Sequence, residues 1–272
     1  MSRHLLSKRI PVIVSCVIAG LLTVFGATST SFAQELVGHE LLSVTRVAHG
    51  GSEYASLRYL TAYGDGDVSF TAWGVTPLGG GVINSVQVRL NATDYQDYNL
   101  RRRLEVSAPS VFGVVGGGPS YMVYTGSEAG GMFLGSRFRV NDVVASRQWS
   151  LMGFQTLNLA ADRAVSSRRL NDEMLGGASH YVVEVFLNSD DRVVYWINKN
   201  TFLISKVATF LRYDNRAVIE EDRSDYRKVS CLMLPFHVVT RLRGERIGDM
   251  VISRYDIQTE VPSGRFTLTA IP

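Results

Sequence analysis

The sequence predicts an α+β fold in which a curved antiparallel sheet, forming a half-open β-barrel, carries helices across its concave face. Two observations favour this prediction. Apolar residues recur at helical spacing in residues 35–48, and β-like segments joined by short turns fill the chain from residue 180 onward. Since parallel crossovers need about a dozen residues or more, such short turns indicate an antiparallel meander.

The first 33 residues have the order of a secretory signal. Three basic residues come first: Arg3, Lys8 and Arg9. An apolar stretch follows over residues 10–27, and Ser31 and Ala33 place small side chains at the usual cleavage positions. We therefore predict export to the periplasm with cleavage after Ala33, which leaves residues 34–272 as a single domain.

Two alternatives stay open for this segment. The apolar stretch approaches the roughly 20 residues that span a bilayer, which an uncleaved membrane anchor would need. Cys16 offers a lipidation site, but the residues that follow it stay apolar, which is atypical of a processed lipoprotein. Pro11 and the small residues before Gln34 favour cleavage over both alternatives.

Charge content bears on the class of partner, and cysteine content bears on how the fold is stabilised. The chain has 28 Lys and Arg against 25 Asp and Glu, and the three basic residues of the signal account for the whole excess. We therefore expect no nucleic-acid partner, and the run Arg101–Arg103 is typical of a solvated strand edge. Cys231 is the one cysteine after the signal, so stability must come from a core and not from an internal disulfide.

The N-terminal part of the predicted domain reads as helix. Apolar residues spaced by three and four form one helical stripe: Val37, Leu41, Val44 and Ala48. Gly50 and Gly51 predict the end of this helix, and a second helical turn is expected within residues 52–60.

Strand-like segments then alternate with glycine-rich or acidic stretches that are predicted as turns, including residues 64–67. The segments predicted as strands are residues 68–74, 84–92, 99–108 and 120–126. Residues 141–161 are predicted as helix plus loop, with Asn141 and Asp142 as the N-cap.

Six further strands are predicted toward the C-terminus: residues 180–188, 192–198, 203–213, 217–226, 235–243 and 249–259. Their imperfect alternation indicates one wet face and one face that packs on residues 35–48 and 141–161. Pro235, which has no N–H, is expected at the first residue of its strand or at an edge.

No catalytic or metal-binding motif is complete in the chain. His39 and Glu40 begin like the zinc-protease HExxH helix, but Ser43 stands where the second histidine is required. Phosphate-binding loops and nucleophile elbows do not occur, and the carboxylates from Glu220 to Asp222 alternate faces along a strand. We therefore expect no catalytic residue, no metal and no cofactor.

One pair of side chains offers an alternative. Cys231 and His237 lie six residues apart across a turn, within reach of a thiol–imidazole pair. A buried cysteine that packs as a small hydrophobic residue is favoured instead. His237 shares its predicted face with Arg241 and Arg243, which supply no group to orient a base.

Large apolar residues are spread over the predicted sheet and helices. Most are expected in the core, but a curved sheet under helices can enclose more volume than its own side chains fill. The residues predicted to line an apolar ligand site are Leu41, Val44, Trp73, Trp149, Met152, Phe154, Phe186, Trp196 and Phe210.

Several stretches resemble the outer-membrane lipoprotein-sorting-like, or LolA-like, family of periplasmic proteins. Residues 40–64 resemble its short helix, Gly-Gly turn, second helix and first strand, and "YWINKNT" resembles its Trp-Ile-Asp-x-x-Thr hairpin. "YRKVSCLMLP" resembles its Tyr-x-x-Val-x-Gly-x-x-x-Pro step, and "VPSGRF" its closing phenylalanine. The chain departs from the pattern at Asn198, at Ser230–Cys231 and in longer glycine-rich loops within residues 65–120.

The resemblance implies a LolA-like half-barrel with an apolar concavity, while the cargo is left open. The favoured function is a monomeric periplasmic carrier or sensor that binds a lipid acyl chain or a lipoprotein. A non-catalytic envelope protein-interaction module of the same fold, with a protein partner, is the alternative. An envelope hydrolase is the third and least favoured hypothesis.

Overall fold

One long antiparallel sheet with helices on one face organises the protein. The computed structural model describes residues 37–69, 87–107, 120–133, 136–139, 143–211 and 217–268. These described residues belong to one compact unit. The predicted signal, Trp73 and the predicted N-cap at Asn141 and Asp142 lie outside the described residues.

Four helices occur in the described part of the chain: α1 (Gly38–His49), α2 (Ser52–Ser56), α3 (Val143–Ser150) and α4 (Gln155–Arg163). The strands of the N-terminal half are β1 (Tyr59–Ser69), β2 (Gln87–Asp97), β3 (Arg102–Ser107), β4 (Ser120–Tyr124), β5 (Ala129–Phe133) and β6 (Ser136–Arg139). Those of the C-terminal half are β7 (Ser166–Arg169), β8 (Glu173–Leu175), β9 (Ala178–Phe186), β10 (Asp191–Asn198), β11 (Ile204–Leu211), β12 (Ala217–Val229), β13 (Leu232–Leu242) and β14 (Glu245–Gln258).

The sheet consists of two meanders joined at one seam. Its strand order is β6-β5-β4-β3-β2-β1-β14-β13-β12-β11-β10-β9-β7, with β8 also paired to β9. The pairing of β1 with β14 joins the first meander to the second, and the strand pairs are antiparallel. The predicted fold class, an α+β protein built on a curved antiparallel sheet, is confirmed.

Side chains of β3 and β12 meet, which requires the sheet to curl. Four strands separate β3 from β12 in the sheet, so a flat arrangement would place them roughly 24 Å apart. Nevertheless Nη1 of Arg102 in β3 lies 3.3 Å from Oε1 of Glu221 in β12. The two walls therefore face each other across a concave surface.

Helix α1 packs one face on this concave side, but the buried stripe differs from the predicted one. Val37 is 52% exposed and Val44 is half-buried, whereas Leu41, Leu42 and His49 are fully buried. The predicted stripe was built from apolar residues alone, whereas the buried face of α1 also includes the polar residues Thr45 and His49. The stripe was therefore predicted about one position out of phase.

The end of α1 follows the prediction. The N–H groups of Gly50 and Gly51 donate to the carbonyls of Val47 and Arg46, and Gly50 has a φ of 136°. A Cβ at Gly50 would also collide with Leu232. Both the backbone conformation and the packing at this position therefore require glycine.

The glycine-rich residues 64–67 are strand and not turn, so that prediction was wrong. They lie inside β1, where Gly64 and Gly66 pair with Ile252 and Met250 of β14. A Cβ at either glycine would collide with the backbone of β14. Glycine permits close approach of two strands at these positions, a use that the sequence pattern does not distinguish from a turn.

The other predicted elements vary in accuracy. The six C-terminal strands are confirmed as β9 to β14, and residues 141–161 contain α3, a loop and most of α4. The second helix ends at Ser56, and β1 begins within the residues predicted as helical turn. The short strands β5 to β8 were not predicted.

Pro235 lies within β13 and not at its first residue. It pairs with Tyr226 of β12, while the pairing of β13 with β14 begins only at His237. At Pro235 the strand β13 therefore has a hydrogen-bonded neighbour on one side only. This is an edge position, where a residue without an N–H is tolerated.

Two of the three departures from the family pattern, Asn198 and Ser230–Cys231, lie at turns between strands. The side-chain oxygen of Asn198 accepts hydrogen bonds from the N–H groups of Asn200 and Thr201 in the turn between β10 and β11. Ser230 has a φ of 56° in the turn between β12 and β13. Asparagine suits the first turn because its side chain caps backbone N–H groups.

A second, smaller core lies on the convex face of the sheet. Phe266 packs there with Tyr59, Tyr95 and Val123, and its ring meets that of Tyr59 edge-on at a centroid distance of 6.1 Å. The C-terminal segment after β14 thus covers the outer side of β1, β2 and β4.

We expect Phe266→Ala to lower the free energy of unfolding by about 3 kcal/mol, because it removes a buried aromatic ring from this small core. Urea denaturation measures the change, and Ser263→Ala, at an exposed position of the same segment, is the control. A loss below about 1 kcal/mol would show that the segment contributes little to the fold.

Candidate functional site

Helix α3 packs against β4 and β12, α4 packs against α1, and residues 151–154 join the two helices. We call α3, α4 and residues 151–154 the cover. A cavity of about 70 Å³ remains between the sheet, the cover and the first two helices. This volume holds roughly five water molecules, so the cover leaves little empty space in the concavity, a state that we call closed.

A buried network of four charges forms one wall of the cavity. Arg102 binds Asp94 through two nitrogens, with an Nη2–Oδ2 distance of 2.7 Å, and also contacts Oε1 of Glu221. Arg223 contacts the other carboxylate oxygen of Glu221 at 3.0 Å. Two positive and two negative groups balance, and each has an oppositely charged partner, as burial of charge requires.

Two arginines of this network also hold the cover. Nη1 of Arg102 donates to the carbonyl oxygen of Trp149 at 2.8 Å, and its guanidinium lies 4.6 Å from the centre of the Trp149 ring. Nη2 of Arg223 donates to the carbonyl oxygen of Met152. The last turn of α3 and the loop after it are therefore fixed by charged donors from the sheet.

Three neutral hydrogen bonds add to these ties. The hydroxyl of Tyr54 donates to the carbonyl of Phe154 at 2.9 Å, and the N–H of Phe154 donates to Oε1 of Gln96 at 3.0 Å. Nδ2 of Asn158 donates to the carbonyl of Tyr54 at 2.9 Å. The cover is thus bound to β2, to α2 and to the charge network by a short series of polar contacts.

The contact between helices and sheet also contains unpaired polar groups. Seven buried side-chain oxygens have no hydrogen-bond partner within the described part of the chain: Thr45 Oγ1, Gln148 Oε1, Gln155 Oε1, Thr156 Oγ1, Asn158 Oδ1, Tyr195 Oη and Thr209 Oγ1. Five lie on α1, α3 or α4, and two lie on β10 and β11. Each unpaired group of this kind costs about 1–3 kcal/mol, so the closed cover is less stable than its apolar burial suggests.

Four predicted ligand-lining residues lie together: three belong to the cover itself, and Leu41 belongs to α1. Leu41, Trp149, Met152 and Phe154 are each at most 5% exposed and belong to one hydrophobic core. Met152 and Phe154 also line the cavity. Val44 is half-buried on α1.

Three other predicted lining residues lie on the convex face. Along β9, β10 and β11 the core-facing positions alternate with outward ones, and Phe186, Trp196 and Phe210 fall on the outward side. Trp196 donates to Glu173 at 2.8 Å, and Arg192 stacks on Phe210 at 4.4 Å. Their assignment to the concavity is therefore corrected, because aromatic character alone does not identify the inward face.

The charge network was missed by the sequence analysis. Arg102 was interpreted within a solvated basic run, and Glu221 within a run of carboxylates on alternating faces. The available signal was strand alternation, which separates Arg102 from Arg101 and Arg103, and Glu221 from its neighbours. Their pairing joins residues 119 positions apart, which spacing along the chain does not reveal.

An open, mostly polar cleft of about 1090 Å³ lies beside α2 and α4. It is lined by Arg58, Asn99, Gln155 and Glu260, among others. Gln155 directly follows Phe154, which lines the closed cavity, so the cleft and the cavity lie next to each other at the start of α4.

Comparisons with known proteins place the fold. A LolA-superfamily protein from Nitrosomonas europaea matches 85% of this chain and 98% of its own, with a TM-score of 0.50 and 11% identity. The fold is that of the LolA superfamily. The resemblance inferred from the sequence is thereby confirmed at the level of fold.

Two further solved structures are similar. A domain named for outer-membrane lipoprotein sorting, from Vibrio parahaemolyticus, has a TM-score of 0.47 and 12% identity over 84% of this chain and 95% of its own. A DUF1329-family protein from Desulfovibrio piger has a TM-score of 0.46 and 13% identity over 85% and 95%. No protein-family model and no curated protein matches the chain.

Two further findings concern the described residues alone. None of their helices is long and apolar enough to cross a membrane. No group of three or more His, Cys, Asp or Glu among them is arranged to hold a metal ion.

His237 is oriented, contrary to the sequence analysis. Its Nε2–H donates to Oδ1 of Asp249 at 2.7 Å, which leaves Nδ1 to accept from the hydroxyl of Ser224 at 3.1 Å. A carboxylate and a hydroxyl thus flank this imidazole, in place of the considered pairing with Cys231. The three groups lie on the convex face and line neither of the two cavities, so they form a cross-strand polar contact without a described substrate site.

His49 joins α1 to the sheet beneath the cover. Its Nδ1–H donates to the carbonyl of Met233 at 3.0 Å, and its Nε2 accepts from the N–H of Ile204 at 3.4 Å. Burial lowers the pKa of His49 to about 4, against the hydrogen bond to Met233, and the positive charge of Arg223 lowers it further. His49 is therefore neutral at physiological pH.

We expect His49 to make stability depend on pH between about 6.5 and 4. Because the folded pKa lies below the unfolded one, the unfolded chain binds the extra proton, and stability is lost as pH falls through this window. The loss amounts to about 3 kcal/mol at most. His49→Gln should flatten urea-derived stability between pH 7 and pH 4.5, while His39→Gln, at an exposed histidine, should keep the original slope. Equal slopes in all three proteins would contradict the assignment.

Proposed function

We propose that the protein is an exported periplasmic carrier or sensor that binds a lipid acyl chain, or the acylated end of a lipoprotein, in the concave apolar face beneath the cover. The observation that carries this proposal is a large apolar surface closed by helices that a few polar contacts hold. The LolA-superfamily fold and the predicted export signal support the proposal.

Binding an acyl chain requires the cover to move. Sites for small molecules usually measure about 300–1,000 Å³, well above the 70 Å³ left beneath the closed cover. Movement would hydrate the unpaired oxygens of α3 and α4, which favours opening. It would also expose Trp149, Leu151 and Leu157 to water, which opposes it.

An acyl chain would offset that exposure. Each buried CH₂ group contributes about 0.8 kcal/mol, so a long chain in the concavity replaces the apolar contacts that the cover gives up. The open state is then stabilised by cargo, and the closed state is the form adopted without it.

The alternative is a non-catalytic interaction module of the envelope. The small volume of the closed cavity favours it, because side chains already occupy most of the concavity. A protein partner would then bind elsewhere on the surface, and chemical cross-linking in cells would capture that partner while the purified protein carries no lipid.

A direct test is organic extraction of the protein purified from a native-like host, followed by mass spectrometry. We expect co-purified acyl lipid at a fraction of a mole or more per mole of protein, and saturable binding of a fluorescent acyl ester. Finding neither lipid nor binding, for a folded protein, would overturn the carrier proposal.

Tyr54→Phe is expected to open the cover more often. It removes one hydrogen bond to the carbonyl of Phe154 while keeping the ring, which weakens the closed state by about 1 kcal/mol and raises the open population roughly fivefold. Uptake of the acyl ester should accelerate by a similar factor, and amide hydrogen exchange in α4 should increase.

Tyr95→Phe is the matched control, because it removes a hydroxyl that donates to Glu105 at 3.1 Å on the convex face. It should leave both uptake and exchange in α4 unchanged. Equal acceleration by the two substitutions would show that Tyr54 acts through general stability and not through the cover.

A further inference from the structure

The two arginines beneath the cover donate to neutral oxygens of the main chain. Arg102 bonds the carbonyl of Trp149, and Arg223 bonds the carbonyl of Met152. Both carbonyls belong to the segment that must move if the concavity opens, and both arginines belong to the sheet, which stays. Opening therefore removes one acceptor from each buried guanidinium group.

These donors need a new acceptor once the cover has moved. A charged donor that is left without a partner in a low-dielectric site is costly, and water is the default replacement. If an apolar cargo fills the concavity, water is excluded, and the cargo itself must supply the acceptors.

The charge balance of the network sets the kind of acceptor that fits. Arg102 and Arg223 are already matched by Asp94 and Glu221, with Arg102 bonded to both carboxylates. An added anion would lie beside two buried carboxylates with no excess positive charge to offset it. A neutral oxygen reproduces what the carbonyls of the cover provide.

The surroundings of the network fit a molecule with a polar group at one end of an apolar chain. Apolar side chains line the same cavity, including Leu60, Leu234, Val238 and Ile252, and Val238 is the cross-strand neighbour of Arg223. An acyl ester places its carbonyl oxygen directly at the start of its hydrocarbon chain. Neither a hydrocarbon nor an ether offers a comparable acceptor.

We propose that the cargo is a neutral acyl ester or acyl amide whose carbonyl oxygens replace those of Trp149 and Met152 on Arg102 and Arg223. This inference rests on the proposed function, since it requires that an acyl chain enter the concavity. It selects against free fatty acids, which bring a carboxylate, and against ether lipids of the same shape.

The test compares three soluble ligands by isothermal titration calorimetry on the purified protein. They are dioctanoylglycerol, the matching dioctyl glycerol diether, and octanoate. We expect the diester to bind at least tenfold more tightly than the diether, and octanoate to bind most weakly. Equal affinities of diester and diether, or tighter binding of octanoate than of the diester, would overturn the inference while leaving acyl binding intact. Absence of binding by all three would instead remove the proposed function, and the inference with it.

A charge-balanced variant locates the effect. Glu221→Gln with Arg223→Gln removes one donor but keeps the network neutral, and the bidentate pair of Arg102 with Asp94 is retained. We expect the preference for diester over diether to fall to threefold or less.

Glu220→Gln with Lys206→Gln removes an equivalent ion pair on the convex face and should keep the full preference. An unchanged preference in the first variant, with its thermal unfolding showing a folded protein, would contradict the role of Arg223. If that variant does not fold, the comparison of diester with diether in the unaltered protein decides the proposal by itself.

Discussion

The contact between Arg102 and Glu221 is the constraint on which the rest of the architecture depends. It joins two strands that lie five strand spacings apart in the sheet, so it exists only when the sheet is curled. Removing one partner of a buried pair typically costs about 3–5 kcal/mol, because the other charge is left uncompensated. A flatter sheet would break the contact, so the charge pairing requires the curvature and stabilises it.

The same network explains why the cover closes where it does. Guanidinium groups have more donors than two carboxylates can accept, and main-chain carbonyls at the end of α3 take part of the excess. The rest of the helix–sheet contact is less complete, since buried oxygens on α4 and on β10 have no partner among the described residues. The cover is thus held firmly at its loop and less well along its helices, which suits a segment that moves as a unit.

Local chemistry made much of the fold predictable. Gly50 and Gly51 end α1 for reasons visible in the sequence, and short turns alone exclude parallel crossovers after residue 180. Strand alternation yields two faces but does not say which one is inward, so Phe186 and Trp196 were assigned to the wrong side. The pairing of Arg102 with Glu221 depends on the curl of the whole sheet, which no local pattern encodes.

The closed conformation also bears on what the concavity can accept. An apolar surface of this kind is costly in water, so a chain without cargo gains by covering it with its own residues. Those residues present apolar side chains to the wall and carbonyl oxygens to the arginines, which together resemble the junction between an acyl chain and its ester. A molecule that displaces the cover must satisfy the same two requirements at once. If the proposed function holds, the contacts that keep the concavity shut describe the ligand chemistry that would open it.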